Sequence, residues 1–411
     1  MVRIRPFKGI RPAKGKEAFV AALPYDVYSR AEAKKAVEGH PLSFLRIDRA
    51  ETQMDDSVDT CDPKVYEKAR ELLREMESRG DFVQDETLSC YLYELTMNGR
   101  SQTGIVACAS IDDYLEGRIK KHENTRREKE EDRFRHVDVC DTQTGPIFLA
   151  YRNQPELKRL IEREKRQEPL FSFMAEDGIG HRGWRISDGH IIRCMQEAFK
   201  AMDAVYIADG HHRAASAVRV GLKRREEHPD YTGDEEFNYF LSVLFPDDEL
   251  MIMDYNRVVR DLNGLSPEEF LKKTEEVFTV EQLKGPAHPG KKGEITLFLS
   301  KRWYLLTLRP EYAREDPVEG LDVSILQREL LEPVLGIGDP RTDDRIDFVG
   351  GIRGLLELER RVHTDMKAAF AMYPTSIGEL FAVADAGLLM PPKSTWFEPK
   401  LRSGLFLHKL S

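Results

Sequence analysis

The clearest pattern in the chain is an apolar run over residues 204–208, followed at once by a polar stretch and then by apolar residues at helical spacing. The polar stretch reads Asp209-Gly210-His211-His212-Arg213. The helical stripe consists of Ala214, Ala217, Val218, Gly221 and Leu222. This pattern predicts a buried strand that leads through a polar loop into the N-terminus of an amphipathic helix.

The residue types in this loop suit an anion. Backbone N–H groups at a helix N-terminus carry partial positive charge, and Gly210 allows a ligand to approach the backbone closely. Asp209 beside a phosphate requires a metal ion between them, or a role of the acid in the chemistry. The alternative is an ordinary helix cap, because Asp is a favoured N-cap residue. Five consecutive polar or flexible residues exceed what one cap requires, so the loop favours a nucleotide or phosphoester site.

Elsewhere, strand and helix patterns alternate and predict a mixed α/β fold. Helices are predicted over Arg30–Val37 after the N-cap Ser29, over Pro63–Met76 and at the end of Ile186–Lys200. Strands are predicted over Ser89–Met97, then after an Asn98-Gly99 hairpin turn over Thr103–Ile111, and over Pro146–Tyr151, Phe240–Phe245, Phe278–Leu283, Glu294–Leu299 and Trp303–Leu308. A strand at Ile252 is expected to continue the first sheet. We predict two domains, a catalytic domain over 1–260 and a smaller α/β domain over 261–411.

Composition narrows the class of protein. The chain has 411 residues, 41% of them hydrophobic, and a formal net charge of -10. This acidic balance argues against broad nucleic-acid binding. No apolar run has the length of a membrane span or a signal peptide, so a cytoplasmic protein is expected. Five widely spaced cysteines without a C-x-x-C pair do not indicate a disulfide framework or a zinc site.

A second candidate cluster lies in the charged segment 118–135. His122, Glu123, Asn124 and Thr125 stand at a predicted strand-to-helix boundary, where Glu123 is a candidate general base and the other three are candidates to orient a substrate. The alternative is a solvated helix, supported by pairs four residues apart such as Glu131 with Arg135 and Glu123 with Arg127.

A third candidate is the segment Pro391-Pro392-Lys393-Ser394-Thr395 with Lys400 beyond it. The prolines hold the backbone extended, and Lys393, Ser394, Thr395 and Lys400 are candidate phosphate ligands. A proline-stiffened surface tail is the alternative reading.

Six stretches in order carry a resemblance that spans nearly the whole chain. They are Arg5-Pro6-Phe7 with Gly9, Leu23-Pro24-Tyr25-Asp26-Val27, His122-Glu123-Asn124-Thr125, Asp132-Arg133, Asp209-Gly210-His211-His212-Arg213 and Pro391-Pro392-Lys393-Ser394-Thr395. Together they resemble the bacterial domain of unknown function family 1015. More distantly, the loop at Asp209 is similar to the phosphate-binding box of the ParB/sulfiredoxin-type fold, which includes free-serine kinases.

The resemblance implies a ParB/sulfiredoxin-like catalytic core and a magnesium-dependent kinase that uses ATP or ADP, with free L-serine as the expected acceptor. It implies that Asp209 helps to hold Mg²⁺, that His211, His212 and Arg213 contact phosphates beside Gly210, and that a carboxylate activates the acceptor hydroxyl. We infer Glu123 for that carboxylate, and we expect Asp209 and His211 to act with it in catalysis. Two alternatives stay open: a nucleotide-binding switch protein of the ParB type, and a phosphoester hydrolase such as a phosphoserine phosphatase. The expected partners are a small molecule and a nucleotide, with a homodimer as a base-rate expectation.

Overall fold

The computed structural model describes residues 1–411, which form two compact units. The first unit comprises Met1–Leu250 together with Pro399–Ser411, and the second comprises Met251–Glu398. The predicted domains, 1–260 and 261–411, differ from these units in one important respect. The last residues of the chain return to the first unit, so Lys400 belongs with Asp209 and not with Lys393.

The first unit contains both sheets and helices. Its strands are β1 (Ile4–Arg5), β2 (Ile10–Pro12), β3 (Phe82–Gln84), β4 (Cys90–Met97), β5 (Arg100–Ser110), β6 (Ile119–Lys120), β7 (Thr142–Gln143), β8 (Ile147–Tyr151), β9 (Phe171–Met174), β10 (Gly180–Ile186), β11 (Val205–Asp209), β12 (Tyr239–Pro246) and β21 (His408–Lys409). Its helices are α1 (Glu17–Val20), α2 (Arg30–Val37), α3 (Leu45–Asp48), α4 (Pro63–Ser78), α5 (Ile111–Leu115), α6 (Arg127–Cys140), α7 (Pro155–Glu164), α8 (Gly189–Lys200) and α9 (His211–Glu227).

Nine strands form the main sheet of this unit, in the order β6-β11-β8-β12-β5-β4-β10-β9, with β1 paired to β5. Two neighbouring pairs, β6 with β11 and β8 with β12, are parallel, and the other pairs are antiparallel. Strand β11, which leads to the polar loop, lies between β6 and β8. The loop that follows β6 therefore starts beside the strand that ends in Asp209.

Local sequence explains several of these elements. Asn98 and Gly99 have φ values of 52° and 78°, as the tight turn of the β4–β5 hairpin requires. Ser29 and Glu32 form a reciprocal capping box at the start of α2. Both predictions are confirmed, and so is the mixed α/β class of the fold.

The second unit is smaller and has its own sheet. Its strands are β13 (Ile252–Met253), β14 (Tyr255–Val259), β15 (Phe278–Gln282), β16 (Glu294–Leu299), β17 (Arg302–Leu308), β18 (Ile346–Gly350), β19 (Ala368–Met372) and β20 (Trp396–Phe397), and its helices are α10 (Pro267–Thr274), α11 (Asp322–Leu326), α12 (Gly354–Thr364) and α13 (Ile377–Asp385). The six-stranded sheet has the order β15-β17-β16-β19-β14-β18. The expectation that Ile252 continues the first sheet is wrong, because Ile252 pairs with Phe397 in a separate two-stranded ribbon.

Helix α9 presents most of its predicted stripe to the core. Ala214, Ala217 and Val218 are buried, but Leu222 is 37% exposed, so the buried stripe ends at Gly221, one residue earlier than predicted. Gly221 is buried where the helix passes close to other backbone: a Cβ there would lie 2.5 Å from the carbonyl oxygen of Phe237. Helix α6 begins only at Arg127, so Glu123 lies in the loop before it and the predicted helical pair with Arg127 does not form.

None of the helices combines the length and the apolar character that a membrane span requires.

We expect Gly221→Ala to destabilise the protein, although alanine is the better helix former. The added Cβ would meet the Phe237 carbonyl at 2.5 Å and Ile111 Cδ1 at 2.7 Å, and overpacking of this kind costs about 1–3 kcal/mol. Gly189→Ala is the matched control, because its Cβ would meet only the flexible Arg193 side chain, at 3.4 Å. Urea midpoints measure both changes, and equal stability of the two variants would contradict the close packing of α9.

Candidate functional site

The junction between β11 and α9 has an open helix N-terminus. Gly210 has φ +92°, in the left-handed region, and no side chain caps the helix. The first helical backbone bond runs from the Ala214 N–H to the Gly210 carbonyl at 2.9 Å. The N–H groups of the preceding residues in the first turn are therefore the unpaired donors that make a helix N-terminus attractive to an anion.

An ion pair fixes the acid at the end of β11. Lys400 Nζ lies 3.1 Å from Asp209 Oδ2, and the Asp209 side chain is 30% exposed. Burial by itself would raise the pKa of Asp209, but the charges of Lys400 and Arg213 outweigh it and hold the pKa well below the usual carboxyl range. Asp209 is therefore ionised at physiological pH.

The loop after β6 brings His122 and Glu123 to this junction. The His122 backbone N–H donates to His211 Nε2 at 3.5 Å, and the two imidazole rings meet edge to face with centroids 4.5 Å apart. Glu123 Oε2 lies 3.9 Å from His211 Nδ1. Since Nε2 of His211 accepts a hydrogen bond, Nδ1 carries the proton and points it toward Glu123.

Both buried histidines are neutral. Burial lowers the pKa of His122 to about 4, with the Ile207 carbonyl and Asp209 opposing the shift in part. Burial and the neighbouring His122 lower the pKa of His211 well below its ordinary value. Neither ring nitrogen of His122 has a hydrogen-bond partner of normal geometry. A buried imidazole that lacks partners is costly, so this residue marks a place where polar contacts are incomplete.

The next two loop residues have different surroundings. His212 Nε2 accepts a hydrogen bond from the Arg126 backbone N–H at 2.9 Å, and burial lowers the pKa of its imidazole. Arg213 Nη1 donates to the Pro146 carbonyl, and its guanidinium lies 3.0 Å from the position of a Cβ on Gly210. The guanidinium thus lies against the loop backbone, next to the open helix N-terminus.

The structure brings two of the three candidate clusters together. His211 and His212 contact the segment 122–126, and Lys400 reaches the same junction through its ion pair with Asp209. Lys400 was predicted as a phosphate ligand, and the structure instead engages its ammonium with a carboxylate. That pairing could not be found from local sequence, because 191 residues separate the two.

Asn124 and Thr125, two of the three residues predicted to orient a substrate, have surroundings that differ from the prediction. Asn124 is exposed, and the Thr125 hydroxyl donates to Glu130 at 2.9 Å within the same segment. The third, His122, is fully buried behind His211, so it reaches a ligand only through that ring.

Lys393, Ser394 and Thr395 belong to the second unit. Ser394 is buried, and its hydroxyl donates to the Pro391 carbonyl at 2.7 Å. Lys393 has φ +59°, and its ammonium stands 5.6 Å from the centre of the Tyr255 ring. The Ser394 hydroxyl is therefore used within its own turn, which makes it a poor phosphate donor.

The side chains that could act as metal ligands at this junction suit only one kind of metal site. No group of three or more His, Cys, Asp or Glu side chains is arranged to hold a metal ion. Asp209 is ionised and partly exposed, and Mg²⁺ often takes one or two carboxylates and completes its shell with water and substrate phosphates. The residues thus fit a Mg²⁺ ion shared with a bound nucleotide, and they do not fit an ion held by the protein alone.

Taken together, the fold and the junction define an α/β protein with an open helix N-terminus flanked by an ionised acid and neutral histidines. The profile of the family described as "Protein of unknown function (DUF1015)" matches residues 4–324, and the chain belongs to this family. No curated protein matches it.

Several solved structures are similar to the chain. SbnI with C-terminal truncation from Staphylococcus aureus has 12% identity and a TM-score of 0.39, over 71% of this chain and 82% of that one. A variant of free serine kinase in complex with AMP has 14% identity and a TM-score of 0.36, over 72% and 86%. A conserved hypothetical protein from Pyrococcus furiosus has 14% identity and a TM-score of 0.34, over 73% and 93%. Similarity at this level does not establish a shared activity.

We expect Lys400→Met to destabilise the protein at pH 7 by about 1–2 kcal/mol, because Asp209 keeps its charge and loses its partner while partial exposure moderates the cost. The folded pKa of Asp209 is depressed, so the stability that the pair contributes is present above the ordinary carboxyl range. It is lost as the pH falls through the folded pKa.

Urea unfolding of both proteins over a pH series measures this difference, which should shrink only under strongly acidic conditions. The double variant Asp209→Asn with Lys400→Met is the control, and it should recover part of the loss. Identical urea midpoints for the wild type and the single variant at pH 7 would show that the pair has no energetic role.

Proposed function

We propose that the first unit is a nucleotide-dependent phosphotransferase that acts on a small hydroxylated metabolite, with free L-serine as the first acceptor to test. The observation that carries the proposal is the uncapped N-terminus of α9 behind Gly210, with Asp209 ionised beside it. The choice of serine follows from the similarity of the loop 209–213 to that of free-serine kinases.

The phosphate groups of ATP or ADP would lie at the first turn of α9. Backbone N–H groups at Gly210 and beyond donate to phosphate oxygens, and the helix dipole favours their negative charge. Arg213, whose guanidinium lies against Gly210, adds a full positive charge, and His212 adds a neutral donor. Lys400 keeps its place on Asp209 and also lowers the negative charge that a phosphate meets there.

Asp209 would hold Mg²⁺ jointly with the phosphates. The ion would neutralise charge that develops on the transferred group. The contribution of Asp209 is to be ionised and fixed in position, and Lys400 ensures both.

Glu123 is the proposed base. His211 is neutral and directs its Nδ1–H toward the Glu123 carboxylate at 3.9 Å, so it orients the acid without neutralising it. Glu123 would take the proton of the acceptor hydroxyl while the acceptor oxygen bonds to phosphorus and the bond from phosphorus to the leaving nucleotide oxygen breaks. The products are the phosphorylated acceptor and ADP from ATP, or AMP from ADP.

The decisive measurement is ³¹P NMR of the purified protein with Mg²⁺ and ATP or ADP, with and without L-serine. The proposal expects nucleotide consumption that depends on serine and yields phosphoserine. Consumption that ignores serine would instead favour a nucleotide switch, and release of phosphate from phosphoserine without nucleotide would favour a hydrolase.

We expect Glu123→Gln to lower kcat by about 10²–10⁴-fold, because a positioned general base contributes an acceleration of that size. KM for the nucleotide should change less than kcat, since the proposed phosphate ligands are the backbone N–H groups of α9 and Arg213 rather than Glu123. Glu128→Gln is the matched control, because Glu128 is exposed at the start of α6 and should leave activity unchanged. A Glu123→Gln enzyme with full kcat would remove this residue from the mechanism.

A further inference from the structure

A cavity with both apolar and charged walls lies inside the first unit and is lined on one side by Arg213. Its empty volume is about 470 Å³, including its open mouth, and its polar walls include Tyr25, Asp48, Arg133, His136 and Thr144. Pro24, Ile147, Ala217 and Leu241 contribute apolar wall.

The walls carry one cation, Arg213, and one anion, Asp48, that have no direct ion-pair partner, although Arg213 acts at longer range on Asp209 and Asp48 acts on Arg133. Asp48 is 4% exposed, and its carboxylate accepts a single hydrogen bond, from the Thr144 hydroxyl at 2.9 Å. No lysine, arginine or histidine nitrogen approaches this carboxylate within 4.0 Å, and no carboxylate approaches Arg213 within that distance. Burying a charge without a partner is costly, so both groups need an opposite charge from elsewhere.

The other arginine of the cavity differs in this respect. Arg133 is paired with Asp132 at 2.8 Å and stacks over the Tyr25 ring at 4.0 Å. Its charge is therefore already balanced, and its contribution is to fix the wall in place. The cavity charges that lack a direct ion-pair partner are therefore one positive group, Arg213, and one negative group, Asp48.

His136 adds a directional acceptor. Its Nε2 lies 3.1 Å from the Ile47 carbonyl, which can only accept, so Nε2 carries the proton and Nδ1 presents a lone pair. Nδ1 is buried and has no hydrogen-bond partner. His136 Nδ1 is thus an unused hydrogen-bond acceptor in the cavity that Asp48 also lines. A ligand with an N–H donor would satisfy it.

We propose that this cavity binds a small L-α-amino acid as its zwitterion, with the carboxylate at Arg213 and the ammonium group at Asp48 and His136 Nδ1. The inference deepens the proposed function and rests on it in one respect, since the bound amino acid would be the phosphoryl acceptor. Arg213 would then border both the nucleotide phosphates and the acceptor.

Among small ligands of these classes, only a zwitterion places an anion at Arg213 and a cation at Asp48. A hydroxy acid such as glycerate would pair with Arg213 and leave Asp48 buried without a cation. An amine such as ethanolamine would pair with Asp48 and leave Arg213 without an anion. Either defect leaves one of the two charges without a direct ion-pair partner, so both compounds should bind more weakly than the amino acid.

The test is isothermal titration calorimetry of the unmodified protein without nucleotide, with L-serine, L-alanine, D-glycerate and ethanolamine as ligands. We expect an amino acid to bind with a Kd of about 1 mM or tighter, and each single-charge analogue to bind at least about tenfold more weakly. Equal binding of all four compounds, or no binding of either amino acid, would overturn the proposal.

Asp48→Asn tests the ammonium side, because the amide oxygen can still accept from Thr144 while the charge is lost. We expect amino-acid affinity to fall at least about tenfold, with no change for Asp203→Asn, the matched control at an exposed position outside the cavity. Full affinity in a folded Asp48→Asn protein, judged by circular dichroism, would refute the assignment. If this variant does not fold, the ligand series on the unmodified protein decides alone.

These titrations do not depend on phosphoryl transfer. Amino-acid binding without any nucleotide-dependent product would leave the cavity assignment intact and refute the kinase. Phosphorylation of serine without selectivity for the zwitterion would do the reverse. The two proposals therefore fail separately.

Discussion

The ion pair between Asp209 and Lys400 is the contact on which the arrangement of the site depends. It joins the end of β11, which lies next to the edge strand β6 of the main sheet, to the terminal segment that returns to the first unit. Other contacts hold that segment in place: bridges from Leu407 to Ile10 and from Ser403 to Ala22, and the pairing of β21 with β7. The pair favours the ionised form of Asp209 beside the open N-terminus of α9.

The two buried histidines of the junction, His122 and His211, matter because they are neutral. Burial makes protonation of His122 and His211 unfavourable, so the junction does not gain two further positive charges near neutral pH. The contact of His211 with Glu123, 3.9 Å from Nδ1 to Oε2, is then one between a neutral ring and a carboxylate. A protonated imidazole at the same place would form a salt bridge with the acid and weaken it as a base. The same burial that costs stability therefore preserves the proposed chemistry.

Arg213 connects the two parts of the proposed site. Its guanidinium lies against Gly210 at the helix N-terminus, and the same residue lines the cavity that contains Asp48 and His136. Positioning of donor and acceptor supplies much of the catalysis in phosphoryl transfer. A single cation that borders both binding regions offers a direct way to bring the two reactants together.

Sequence alone determined the local elements, because turn residues, caps and hydrophobic periodicity act over a few positions. It determined the strand and helix around Gly210, the Asn98-Gly99 hairpin and the capped helix α2. Tertiary structure decided the partners: Lys400 on Asp209 across 191 residues, and the contact of His122 with His211. It also decided that Asp48 and Arg213 share one cavity without neutralising each other. Such pairings depend on the order of strands in the sheet and on the return of the chain's last residues to the first unit. A pattern that extends over a few positions of the sequence does not encode either of these.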